Sequence, residues 1–139
     1  KLSCYSYSVI LTGDIEELAE RDLSGLGSLL EATVIKVPHH GSRGSIETTF
    51  LELVSPKVAV ISVGIHNAYG HPAPEVLAAY QALGSQVFRT DHQGAIDIEA
   101  GEDTLRVRQF SDWRLRPVWW DAEMLWTEWE NLKRLIHFL

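Results

Sequence analysis

Val58-Ala59-Val60-Ile61-Ser62-Val63 is a near-continuous apolar run of strand length. Such a run marks a strand buried on both faces, the usual state of a strand inside a parallel sheet. The polar stretch His66-Asn67-Ala68-Tyr69-Gly70-His71-Pro72 follows it. Pro74 then stands where a helix would start, Val76, Leu77, Tyr80 and Leu83 supply an apolar stripe, and Gly84 is the natural stop. Strand, polar loop and helix thus succeed one another here.

The same order recurs upstream. Ser8 to Leu11 reads as a strand that ends at Thr12-Gly13, and a helix is expected from Ile15, with Ile15, Leu18 and Ala19 on one face and an acidic first turn. The Gly- and Ser-rich stretch from Ser24 to Ser28 ends it. Thr33 to Val37 is β-branched and reads as a strand closed by Pro38, with His39-His40-Gly41-Ser42 as the loop. The next helix is expected from near Ser45, a good N-cap, to about Val54. Downstream, Gln86 to Thr90 and Gly94 to Ile98 read as two arms of a hairpin around Asp91-His92-Gln93, and Leu105 to Arg108 as a further strand. Strands alternating with helices define an α/β layered fold. From Asp121 onward, Leu125, Trp129, Leu132, Ile136 and Leu139 recur at helical spacing, which predicts an amphipathic helix behind a Trp- and Arg-rich linker. The division expected is therefore 1–112 for the α/β unit and 113–139 for linker and helix.

The 139 residues suit one domain, and 45% hydrophobic with 22% charged residues are ordinary globular values. They exclude a collagenous or wholly disordered chain. No apolar run reaches the roughly 18 residues of a bilayer span. The single cysteine, Cys4, excludes an intrachain disulfide framework. Twelve Lys+Arg against 19 Asp+Glu give a net charge of -7, so nucleic-acid binding needs a local basic patch or bound cations. Arg106, Arg108, Arg114 and Arg116 are either a charged strand face or a phosphate track. No signal peptide is visible, and with Lys1 at the start and a strand close behind, the chain reads as a fragment of a longer protein.

Three strand ends carry Asp14, His39-His40 and His71. Ligands of α/β sheets bind at the carboxyl ends of strands. A carboxylate can bridge two cations, and imidazoles are common zinc ligands. Glycines beside each motif let the backbone approach a metal or phosphate. Together these parts suit metal-assisted hydrolysis of a phosphate ester. Singly each motif is an ordinary turn; their joint order and repeated context carry the weight. Lys36 and Arg43 flank the histidine pair as candidates for a DNA phosphate, and Asn67 and Tyr69 are placed to orient His71. His66, His92 and His137 read as solvated or structural.

Four blocks in order carry a family resemblance: Leu11-Thr12-Gly13-Asp14-Ile15-Glu16, Lys36-Val37-Pro38-His39-His40-Gly41-Ser42, Ser62-Val63-Gly64 with Asn67 to Pro72, and Arg89-Thr90-Asp91 with Gly94-Ala95-Ile96. They resemble the C-terminal half of the metallo-β-lactamase-like domain of ComEC/Rec2 competence proteins, from about Leu2 to Ile98. The resemblance implies half of an αββα sandwich. It implies a DNA-uptake channel in the bacterial inner membrane, with this soluble domain on its outer, periplasmic face. It also implies a nuclease that degrades the non-transported DNA strand with two divalent ions, zinc or manganese. Asp14 matches the bridging aspartate and His71 the last ligand histidine. His40 is assigned to metal, and His39 to acid work or phosphate contact, with the two interchangeable; Ser42 and the amides of Gly41 to Gly44 face the phosphate. The partners implied are DNA, single-stranded or as one strand of a duplex, and the rest of the channel. The family's His-x-[His/Asp]-x-Asp-His motif does not occur in this chain. The fragment alone is therefore expected to be inactive and prone to self-association or domain swapping. Two alternatives stand beside this reading: a phosphodiesterase of the same fold acting on a small phosphoester, and a metal-free scaffold that guides DNA.

Overall fold

The computed structural model describes residues 1–110. The amphipathic segment, the Trp-rich linker, Arg114, Arg116 and His137 lie outside the described residues. Five strands form one sheet in sequence order: β1 (Leu2–Cys4), β2 (Tyr7–Leu11), β3 (Val34–Lys36), β4 (Val58–Ile61) and β5 (Gln86–Arg89). β1 runs antiparallel to β2, and every later pair is parallel. The parallel links are made by α1 (Glu17–Ser24), α2 (Thr48–Val54) and α3 (Pro74–Ala82). Successive right-handed crossovers in one direction put all three helices on the same face.

Side-chain alternation divides the core accordingly. Ile10, Ile35, Ala59 and Ile61 point to the helices and pack with Phe50, Val54, Val76 and Tyr80. Val34, Val58 and Phe88 point to the other face. There they meet a second, two-stranded antiparallel sheet, β6 (Ala95–Ala100) and β7 (Leu105–Phe110), through Ile96, Ile98, Leu105 and Val107. The layers are helix, sheet, sheet. The α/β class is as expected, with the β4 and α3 regions close to their predicted bounds.

The structure departs from the sequence reading at four points, the last two both in the helices. First, 86–98 is not a hairpin. β5 pairs with β4, while β6 belongs to the second sheet. A short helical turn, α4 (Thr90–Gln93), carries the chain across, stabilised by the Arg89–Asp91 ion pair and by Arg89 N–H donating to Gln93 Oε1. Second, β1 has no counterpart in the sequence reading, because a strand of three exposed residues leaves no burial pattern. Third, α1 does not bury Leu18, which is 76% exposed; it buries Glu20 completely. Ser45 does not cap α2 either. Glu47 does, accepting from Phe50 N, while the buried Ser45 hydroxyl donates to Ser42 O at 2.7 Å.

Glu20 ties the helix layer together. Its Oε2 accepts the backbone N–H of Glu47 at 2.8 Å, linking α1 to the start of α2. Its Oε1 and the Tyr80 hydroxyl are buried without hydrogen-bond partners. Burial, with the Glu47 and Glu17 charges adding to it, pushes the Glu20 carboxyl up from 4.5 to about 7. The folded chain therefore holds a proton that the unfolded chain releases above its own, lower pKa. This contribution is full below about pH 4.5 and is lost as pH rises through 7. Chemical denaturation between pH 5 and 8 should show it. Glu20→Gln should flatten the profile and raise stability at pH 8, by up to about 3 kcal/mol. Parallel profiles for the two proteins would contradict this.

Candidate functional site

The carboxyl ends of β2, β3 and β4 converge at one edge of the sheet. After β2 the chain turns at Gly13, and Asp14 is exposed. After β3, Pro38–Gly41 forms a tight turn in which His39 (φ 43) and His40 (φ 57) are both left-handed. Non-glycine residues in that region cost of order 1–3 kcal/mol each and persist only where their surroundings fix them. Here the surroundings are dense. His39 N–H donates to Gly13 O at 3.1 Å, Ser42 N–H to His39 O at 2.9 Å and Ala73 N–H to Gly41 O at 2.8 Å. Gly41, at φ 81, lies so close to Pro72 that a Cβ would come within 2.6 Å of the proline Cβ. That contact joins the histidine turn to the His71 loop.

Asn67 shapes the third loop as a clasp. Its amide donates to His71 O at 2.9 Å and to Gly64 O at 3.2 Å, and its Oδ1 accepts His71 N–H at 2.8 Å. Thr90 braces the end of β4, accepting from Val63 N at 2.7 Å and donating to Val63 O at 2.8 Å.

The sequence-derived residues fall into two pairs. His40 Nε2 lies 3.7 Å from Asp14 Oδ1. His39 and His71 lie together, ring centroids 6.2 Å apart, and His39 to His40 is 6.4 Å. The His40 ring is oriented from behind, with Nδ1 2.6 Å from Ser62 O. A carbonyl only accepts, so that contact assigns the proton to Nδ1. In the neutral ring Nε2 then carries the lone pair, and it faces a carboxylate oxygen. Two electron-rich atoms at that distance suit a cation between them, and a carbonyl behind the ring is the usual support of a metal-binding histidine. Among the described residues, however, no group of three or more His, Cys, Asp or Glu side chains is placed to hold a metal ion. Ser42 sits beside the turn, its hydroxyl accepting from Gly44 N at 3.4 Å.

One pairing escapes the sequence reading. Glu16 Oε1 lies 2.9 Å from His39 Nδ1, off the line of an N–H hydrogen bond. Only the fold of two separate loops makes that pair, so spacing carries no signal for it. Lys36 lies inside the site. Its ammonium donates to Gly13 O at 3.3 Å and is 3.9 Å from Asp14 Oδ1. Arg43 pairs with Glu75 at 3.1 Å. Arg108 bridges Asp97 and Glu99 at 3.1 and 2.5 Å, and Arg106 lies opposite Glu99 in the β6–β7 register. This part of the arginine run is a charged sheet face with its own counter-ions. Asp91 is buried, which raises its pKa, but the two-pronged Arg89 contact wins and holds the carboxyl below its ordinary value.

In open α/β sheets ligands bind where polar loops gather at the carboxyl ends of the strands. Comparison with curated proteins narrows the class. The chain is 43% identical over 89 residues to ComE operon protein 3 of Bacillus subtilis, which covers 64% of this chain and 12% of that protein. It is 37% identical over 116 residues to competence protein ComA of Neisseria gonorrhoeae, 79% of this chain and 17% of that one. It is 33% identical over 115 residues to recombination protein 2 of Haemophilus influenzae, 80% of this chain and 14% of that protein. These homologues are competence and recombination proteins and support the ComEC family; the chain spans less than a fifth of their length. No family model matches the chain. No solved structure matches it either.

Proposed function

We propose that this chain supplies part of a cation-dependent phosphodiesterase site, a nuclease acting on DNA in a DNA-uptake channel protein. The observation that carries the reading is the His40 ring, tied at Nδ1 to Ser62 O and presenting Nε2 to Asp14. Zinc or manganese suits that imidazole–carboxylate pair, and two such ions form the complete site. A divalent ion there supplies water activation and charge neutralisation for phosphodiester hydrolysis. Asp14 and His40 would hold it, and His71, which lies beside His39, would be a further ligand of the complete site. His39 contacts the phosphate or donates a proton to the leaving oxygen, and Ser42 with the Gly41–Gly44 amides faces the phosphate. The homologues' names favour a role in DNA uptake. A membrane-channel parent, with this domain on its outer face, belongs to the same proposal. The missing ligands come from elsewhere in the parent protein, so the 139-residue chain alone should turn over little substrate.

One observation favours a second reading, a metal-free surface that guides DNA. The Lys36 ammonium already offers Asp14 a positive neighbour. Two variants of the intact protein separate the readings. His40→Ala should lower both metal content and hydrolysis. His39→Ala should keep its metal and lose about 10²–10⁴ in rate, the range of general acid catalysis. Metal content by elemental analysis, with cleavage of a labelled oligonucleotide, checks both. The opposite pattern swaps the two roles. Unchanged metal in both variants would leave Asp14 and His71 as the ligands this chain supplies, and wild-type protein with neither metal nor hydrolysis would favour the metal-free surface.

A further inference from the structure

We propose that Tyr69 is a stacking platform for a nucleobase next to the phosphodiester held at the site. This rests on the reading of DNA as the substrate and deepens it. Tyr69 is 83% exposed, more than any other large hydrophobic or aromatic residue of the described chain. Its backbone is nonetheless held. It lies inside the Asn67 clasp, between Gly64 and His71, whose backbones the Asn67 side chain bonds. Its ring stacks on His71 with centroids 5.8 Å apart and planes 18° from parallel. The imidazole is offset beside the phenol, and the high exposure leaves the phenol's face open to a flat partner. Gly70 adds no bulk beside it, since a Cβ there would meet nothing within 4 Å.

A ring already oriented loses little freedom when a flat partner stacks on it, which is the advantage of preorganisation. Every base offers a π-face, so such a platform binds a single strand without choosing its sequence. The rings of Tyr69, His71, His39 and His40 follow one another at 5.8, 6.2 and 6.4 Å. A base on Tyr69 therefore belongs to a nucleotide near the phosphate at the histidines. The chain's net charge of -7 makes a contact that needs no positive charge useful for holding DNA.

The test uses the intact protein and single-stranded oligonucleotides with phosphorothioate linkages. Each carries 2-aminopurine at a different position, and stacking on an aromatic ring quenches that base. Wild type and Tyr69→Phe should quench one position strongly. Tyr69→Ala should lose that quenching and bind about tenfold or more weakly, as expected for a lost base–aromatic stack. Quenching and affinity unchanged in Tyr69→Ala would overturn the platform while leaving DNA as the substrate. No oligonucleotide binding by wild type, with a small phosphodiester still hydrolysed, would overturn the platform and the DNA reading together.

Discussion

Asp14→Ala in the intact protein should reduce metal-dependent hydrolysis by about three orders of magnitude or more, several kcal/mol of transition-state stabilisation. Among the described residues Asp14 is the carboxylate paired with His40 Nε2, at 3.7 Å, and on the proposed reading it would be shared by two ions. Its loss would then remove a ligand from both, and water activation and charge neutralisation would fail together. The side chain is exposed, and its charged neighbours among the described residues are Lys36 and His40. Stability should therefore change little, and the loss belongs to the site. Hydrolysis rates and elemental analysis on the same preparation check this. Near-normal activity with normal metal content would rule out the bridging role.

Gly41→Ala should have the largest effect on stability. Two independent costs meet there. The backbone is left-handed at φ 81, and the new Cβ would lie 2.6 Å from Pro72 Cβ and 3.1 Å from its Cα. Neither neighbour is the end of a flexible side chain. Strain and overpacking of this kind cost about 1–3 kcal/mol each. A denaturation midpoint shifted by about 3 kcal/mol or more is expected, with the Ala73–Gly41 hydrogen bond broken. Because that bond joins the His40 turn to the His71 loop, activity should fall further than stability alone explains. A midpoint within about 0.5 kcal/mol of wild type, the range of a neutral surface change, would contradict the close packing.

Much of the architecture is legible in the sequence because burial repeats simple patterns. The run at Val58–Ile61 and the Pro74 start and Gly84 stop around α3 place a parallel strand and its crossover helix. Where chemistry overrides pattern, the reading fails. In α1 the conspicuous apolar residue, Leu18, faces solvent, and a carboxylate, Glu20, is buried, because its partner Glu47 is supplied 27 residues away. Asp91-His92-Gln93 looks like a hairpin turn because local composition cannot say which sheet a strand joins. Ion pairing by Arg89 and latching by Thr90 decide it. The site shows the same division. Asp14, His39, His40 and His71 stand out by residue type and by position at strand ends. Glu16 beside His39, and Ser62 behind His40, are created by loop closure alone. Lys36 is visible as a cation near the loop, but only the fold turns it inward, onto Gly13 and Asp14.

The central claim is that Asp14 and His40 share a cation. Anomalous diffraction at the zinc and manganese edges, on crystals of the intact protein grown with each metal, tests it most directly. The account predicts a peak between Asp14 Oδ1 and His40 Nε2, with Nδ1 of His40 still on Ser62 O. A map without that peak at either edge, with Lys36 remaining beside Asp14, would contradict it.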